Sequence, residues 1–226
     1  SLVGSEMCIR DRAKTTEHLL LFTTLGNVIY RPIHELIDLR WKDIGEHLSQ
    51  TISNFATEEE ILYVDIVTSF DQGLYVAITQ NGFIKRFDRK ELSPWRTYKS
   101  KSTKYVKLKD TKDRVLTLSP VIMEDLLLVT KNGYALRFSS QEVPTQGLKS
   151  AGVKGINLKK DDRLASAFTV TSDSFFVLTQ RGSLKRMAVD DIPQTSRANR
   201  GLLVLRELKA KPHSCLLYTS DAADER

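Results

Sequence analysis

A fourfold internal repeat governs this sequence. The first copy reads Leu19-Leu-Leu-Phe-Thr23-Thr-Leu-Gly26, then Glu35-Leu36. The second reads Leu74-Tyr-Val-Ala-Ile-Thr79-Gln-Asn-Gly82, then Glu91-Leu92. The third is Leu126-Leu-Leu-Val-Thr130-Lys-Asn-Gly133, then Glu142-Val143; the fourth is Phe175-Phe-Val-Leu-Thr179-Gln-Arg-Gly182, then Asp191-Ile192. In every copy Thr stands three residues before Gly, an acid nine after it and an aliphatic residue ten after it, and the glycines are 56, 51 and 49 residues apart. A period of that length marks a chain built from stacked supersecondary units.

Each unit has a local physical reading. The apolar run of Leu, Val, Phe and Tyr predicts a buried strand. The residue pair ending in Gly supplies the positive φ of a tight hairpin turn. A second strand follows, as in Gly82-Phe-Ile-Lys-Arg-Phe87, and Pro94, Pro144 and Pro193 end it, because proline cannot donate to a ladder. Two more strands precede the next copy, for example Val115–Leu118. No segment keeps a helical period. These signals predict an all-β, propeller-like array of four-stranded blades over about 13–67, 68–119, 120–170 and 171–213.

The two ends read differently. Glu6–Asp11 and Cys215–Ser220 can be encoded by one short DNA element in opposite orientations, as a translated sequencing adapter would be. Residues 1–12 and 214–226 are therefore expected to lie outside the fold. The first twelve residues carry Arg10 and Arg12 against Glu6 and Asp11, and the last thirteen carry Arg226 against three acids, so the formal net charge of +6 becomes +8 for residues 13–213. Cys8 and Cys215 both fall in those ends, which leaves no disulfide framework or thiolate metal site for the array. Apolar runs such as Leu126–Val129 are too short to cross a bilayer as a helix. The expectation is a soluble, basic, cytoplasmic piece of protein.

The positive charge recurs by position. Arg31, Lys85 and Arg86, Arg137, and Lys185 and Arg186 follow the four glycines on the second strand. The stretch Ile84–Lys109 holds ten Lys or Arg against Asp88 and Glu91. Arg89, Lys90, Arg96, Lys99, Lys101 and Lys104 belong to it, and Lys149, Lys154, Arg197 and Arg200 follow in the later copies. Charge repeated along one rim suits a polyanion, since each neutralised phosphate releases counterions. Those sixteen residues are the candidate DNA contacts. Trp95, Tyr98 and Tyr105 among them read as packing between repeats rather than as base-stacking groups. Catalytic patterns are poor: the four histidines lack metal-ligand spacing, and Gly147-Leu-Lys-Ser-Ala-Gly152-Val153 lacks the Lys-Ser/Thr of a phosphate loop. Asp161-Asp162 and Glu58-Glu59-Glu60 read as turn acids.

The repeated apolar-Thr-x-x-Gly-x-x-x-Arg with a following acid-aliphatic-Pro resembles the C-terminal β-pinwheel domain of the A subunits of type IIA topoisomerases. Arg40-Trp-Lys-Asp-Ile-Gly45, Ser93-Pro-Trp-Arg-Thr-Tyr and Ser196-Arg-Ala-Asn-Arg-Gly201-Leu-Leu resemble the topoisomerase IV branch of Gram-positive type. The resemblance implies a disc of five or six blades, of which this chain holds four, with one strand of each unit given to its neighbour. It implies a duplex held on the basic rim, and partners in the remaining domains of the topoisomerase IV polypeptide and in its ATPase subunit. The catalytic tyrosine, ATP and Mg2+ would belong to other domains. Gyrase carries a Gln-Arg-Arg-Gly-Gly-Lys-Gly box in its first blade; no such box occurs here, but the resemblance makes these blades two to five, without the one that would hold it. A gyrase A DNA-wrapping domain therefore stays an alternative, as does a propeller scaffold binding protein partners. Tyr30 also replaces the basic residue four after Gly26.

Overall fold

Every Thr-x-x-Gly closes an antiparallel hairpin, and the computed structural model, which describes residues 13–205 and 214–220, shows why both residues recur. The hairpins are β1 (His18–Thr23) with β2 (Asn27–Pro32), β4 (Leu74–Thr79) with β5 (Phe83–Asp88), β8 (Asp125–Thr130) with β9 (Tyr134–Ser139), and β12 (Ser174–Thr179) with β13 (Leu184–Ala188). The threonine carbonyl accepts the glycine N–H at 2.9–3.2 Å. Its hydroxyl oxygen accepts the next N–H, from Asn27, Phe83, Tyr134 and Ser183, at 3.1–3.3 Å. The glycines sit at φ between +77° and +85°, where an L side chain is strained.

A closing strand pairs with the other edge of each hairpin's first strand: β3 (Ile61–Val67) on β1, β7 (Val115–Pro120) on β4, and β11 (Leu164–Thr169) on β8. The turn before it is held by a buried acid. Asp113 accepts the N–H of Asn81 at 3.0 Å, Asp162 that of Asn132 at 3.1 Å, and Glu59 accepts from Thr23 and Asn27 at 2.5 and 2.7 Å. Asp162 and Glu59 are turn acids, as the sequence predicts, and Asp113 is their counterpart in the second repeat.

The fourth strand of each sheet comes from the next repeat. The two-residue strands β6 (Thr103–Lys104), β10 (Val153–Lys154) and β14 (Leu202–Leu203) pair antiparallel with β2, β5 and β9. Three sheets thus have four strands, in orders β3-β1-β2-β6, β10-β5-β4-β7 and β11-β8-β9-β14, and the fourth has three among the described residues. The only α-helix among the described residues is one turn, α1 (Leu48–Thr51). No helix among them is long and apolar enough to cross a membrane.

Packing follows the same hand-over. The three buried apolar clusters each lie between consecutive repeats: Phe22 and Tyr30 with Tyr75, Phe87 and Tyr105; Ile78 and Ile84 with Leu128, Phe138 and Ile156; Leu127 and Val129 with Phe175, Val177 and Ile192. The aliphatic residue ten after each of the last three glycines is part of this seam. Leu92, Val143 and Ile192 are buried, whereas Leu36 of the first repeat is 46 % exposed, beside the exposed Ile37, Leu39, Trp41 and Ile44.

One boundary needs correction. The sequence reading leaves residues 214–226 outside the sheets, but Cys215–Ser220 form β15, paired antiparallel with β12 in the place β3, β7 and β11 take in the other repeats. A short strand-forming run beside an open sheet edge pairs with it whatever its origin. The expectation for residues 1–12, Cys8 included, lies outside the described residues.

Candidate nucleic-acid interface

The segment that leaves each 3-10 turn and crosses to the preceding repeat carries the exposed cations. Counted from Ser102, Gly152 and Gly201, the residues just before the two-residue strands, equivalent positions hold Lys99 and Lys149 (three before), Lys101 and Arg200 (one before), and Lys104 and Lys154 (two after). All six are exposed. Lys104 lies opposite Asn27 and Lys154 opposite Phe83, each on the outermost strand of its sheet. The turn-and-strand register therefore sets Lys99 with Lys149 and Lys104 with Lys154 at matching places on successive repeats, while Lys101 matches Arg200 two repeats on, Ala151 standing between them. Lys90, Arg96, Lys185 and Arg186 are exposed as well.

The remaining candidates are engaged inside the fold. Arg89 donates to the Tyr75 hydroxyl at 3.2 Å and pairs with Asp65 at 3.6 Å, across the first seam. Desolvation and the neighbouring Asp65 raise the Tyr75 hydroxyl pKa far above the ordinary phenol value. Arg137 pairs with Asp125 at 2.7 Å and Asp190 at 3.3 Å, and its guanidinium is pushed up by the bond to Asp125. Arg86 donates to Thr145 at 3.0 Å and Arg197 to the Lys154 carbonyl at 2.5 Å. Arg31 donates to the carbonyls of Tyr98 at 2.9 Å and Lys99 at 3.3 Å. Arg186, though exposed, is also tied back to its own hairpin, donating to Ser174 at 3.0 Å.

Lys85 departs from the sequence reading. The basic run is read there as the outer side of the second strand, yet alternation along β5 sets Lys85 on the face of Phe83 and Phe87, and it is 1 % exposed. Its ammonium donates to the carbonyls of Tyr105, Leu148 and Ser150 at 2.8, 2.9 and 3.2 Å. Burial lowers its pKa to about 8. A signal for this exists in the repeat: the residue three after Gly is Ile29 in the first copy and Leu136 in the third, and both are buried.

A second role is legible in the sequence only in part. The acid nine after each of the first three glycines grips the following repeat at one fixed point. Glu35 accepts the Tyr98 hydroxyl at 2.8 Å, Glu91 the Leu148 N–H at 3.1 Å, and Glu142 the Arg197 N–H at 2.9 Å. Tyr98, Leu148 and Arg197 each stand four residues before Ser102, Gly152 and Gly201. Glu35 also pairs with Lys99 at 3.2 Å; the Tyr98 hydroxyl first, then Lys99, holds its carboxyl below the usual range. Trp95, Tyr98 and Tyr105 all face the first seam, Tyr98 edge-on to Tyr30 at 4.9 Å and Tyr105 fully buried.

The model of the DNA gyrase C-terminal domain, a β-propeller, matches residues 17–68, 75–122, 124–171 and 173–211. The chain belongs to that family. Within the gyrase C-terminal domain family its likeness is to topoisomerase IV. It is 88 % identical over 224 residues to the A subunit of DNA topoisomerase 4 from Streptococcus pyogenes serotype M6, covering 98 % of this chain and 27 % of that protein. Against the corresponding protein of Streptococcus pneumoniae serotype 4 the identity is 62 % over 206 residues, covering 91 % of this chain and 25 % of that protein. The chain thus spans about a quarter of the relatives it matches. A crystal structure of the C-terminal domain of DNA topoisomerase IV superposes with TM-score 0.84 and 40 % identity, over 91 % of this chain and 64 % of that one. A DNA gyrase A C-terminal domain superposes with TM-score 0.69 and 22 % identity, over 94 % of this chain and 68 % of that one, which is a likeness of fold.

Proposed function

We propose that this chain holds duplex DNA against its outer strands and hand-over segments, as a non-catalytic part of a topoisomerase IV polypeptide. The observation that carries the reading is the recurrence of exposed cations at equivalent positions: Lys99 with Lys149 and Lys104 with Lys154 on the second and third repeats, and Lys101 with Arg200 on the second and fourth. Lys and Arg on strand edges meet phosphates but place no helix in a groove, so the contacts position DNA without reading its sequence. In the parent enzyme the held duplex would be presented to a catalytic core that passes one duplex through another, with the work of decatenation and relaxation. ATP and Mg2+ would be bound there, by the other domains of the same polypeptide and by the ATPase subunit, in the bacterial cytoplasm.

The test is binding of labelled duplexes of two unrelated sequences by the whole chain, followed by fluorescence anisotropy across a salt series. The reading expects closely similar affinities for the two. With roughly five phosphates neutralised, log K against log salt should have a slope of about −4.5. A salt-independent affinity, or strong preference for one sequence, would remove the rim as the binding surface.

A further inference from the structure

We infer that Arg31 and Lys85 are positioning residues for DNA binding, each clamping the lysine-bearing hand-over segment of the following repeat without touching phosphate. The inference rests on the DNA-binding reading above. Arg31 of the first repeat donates to the carbonyls of Tyr98 and Lys99, and to the Thr51 hydroxyl at 3.2 Å. Lys85 of the second repeat donates to the carbonyls of Leu148 and Ser150, and also to Tyr105. Tyr98 and Leu148 are equivalent, four residues before Ser102 and Gly152. The same residue is gripped twice in each case, by an acid through its hydroxyl or N–H and by a buried or half-buried cation through its carbonyl.

The two clamps start from different places in the repeat, five residues after Gly26 and three after Gly82, yet end on the same carbonyl position. Each clamped residue is followed by an exposed lysine, Lys99 or Lys149. At the third junction that position holds Ala198, and among the described residues no cation reaches the preceding Arg197 carbonyl. The clamp is thus present where there is a lysine to present. Fixing the main chain beneath a long cationic side chain removes part of the ordering cost that binding would otherwise carry. An ammonium donating three bonds to carbonyls, at 1 % exposure, has no donor left for a phosphate.

The experiment compares Arg31→Gln, Arg31→Lys and Lys85→Met with Lys99→Ala/Lys149→Ala in the full chain. Each is read by anisotropy against a short mixed-sequence duplex over a salt series, and by amide hydrogen exchange. The clamp variants should weaken binding roughly two- to tenfold, the cost of ordering about one long side chain. Their salt slope should stay that of the parent, and amides at 98–101 and 148–151 should exchange faster. Arg31→Lys, which keeps the charge and loses the fork, should behave like Arg31→Gln and covers the case in which the glutamine variant fails to fold. The double lysine variant should instead flatten the slope by up to about 1.8. If Arg31→Gln flattens the slope by about 0.9, Arg31 is itself a phosphate ligand and the inference falls. It falls too if exchange quickens and affinity does not change. Unchanged affinity and slope in the double lysine variant would instead defeat the DNA reading of those lysines, whatever the clamps do.

Discussion

The Lys85 ammonium donates a 2.8 Å hydrogen bond to the Tyr105 carbonyl, joining the second strand of one hairpin to the segment that crosses back to the first repeat. Its burial among three carbonyls makes the sign of its pH linkage definite. The folded pKa is lowered to about 8, below the ordinary 10.5. Between these values the unfolded chain binds more protons, so the contribution of this group rises as pH rises through that window and is lost as pH falls through about 8. Urea unfolding of the parent and of Lys85→Met from pH 7.5 to about 10 should show the parent gaining stability relative to the variant. Parallel curves would mean that the folded and unfolded ammonium titrate alike. Tyr75 and Tyr105, both raised, are common to the two proteins and cancel in the comparison.

Two glycines with the same backbone geometry should respond unequally to one methyl group. Gly82 has φ +80° and a Cβ there would lie 2.7 Å from Ile156 Cγ2, whereas Gly182 has φ +77° with nothing within 4 Å. Gly182→Ala should cost only the left-handed strain, roughly 1–2 kcal/mol. Gly82→Ala should lose more, because the hand-over segment must shift as well. Thermal unfolding of the two variants decides it; equal losses would place the hand-over contact at Gly82 outside the energetics.

Glu35 restrains a candidate DNA contact. Its carboxylate pairs with Lys99 at 3.2 Å, and the Tyr98 hydroxyl, then Lys99, hold its pKa below the ordinary value. Glu35→Gln keeps an acceptor for Tyr98 while releasing Lys99 and removing a negative charge from the rim. Duplex binding should tighten and the salt slope steepen by up to about 0.9. Unchanged titrations would take Lys99 off the DNA path.

What the sequence reveals and what it hides divide by range. The hairpins are legible because Thr23, Thr79, Thr130 and Thr179 each serve a glycine three residues on and an N–H four residues on, which is local chemistry repeated four times. The exchanged strands are legible only through the resemblance. Thr103–Lys104 is two residues long, has no period of its own, and pairs with Val28 and Asn27 far upstream. The inward place of Lys85 is signalled by Phe83 and Phe87 on the same face of β5, but its partners, carbonyls of the following repeat, are not legible from the strand itself. The acids Glu35, Glu91 and Glu142 are visible as a pattern, while their partners Tyr98, Leu148 and Arg197 are 63, 57 and 55 residues away. Ten of the sixteen candidate cations are exposed, and the other six are half-buried or buried in the seams, because a repeat that stacks must use some of its cations to bind its neighbour.

The most direct test of the rim is the salt dependence of duplex binding by Lys101→Ala/Lys104→Ala/Lys154→Ala beside the unaltered chain. These three are exposed, and among the described residues none is in an ion pair. Surface changes of this kind should alter stability by no more than about 0.5 kcal/mol each. The account predicts weaker binding to every duplex alike, with the slope of log K against log salt flattened by up to about 2.7. A folded triple variant with the parent's affinity and slope would contradict it.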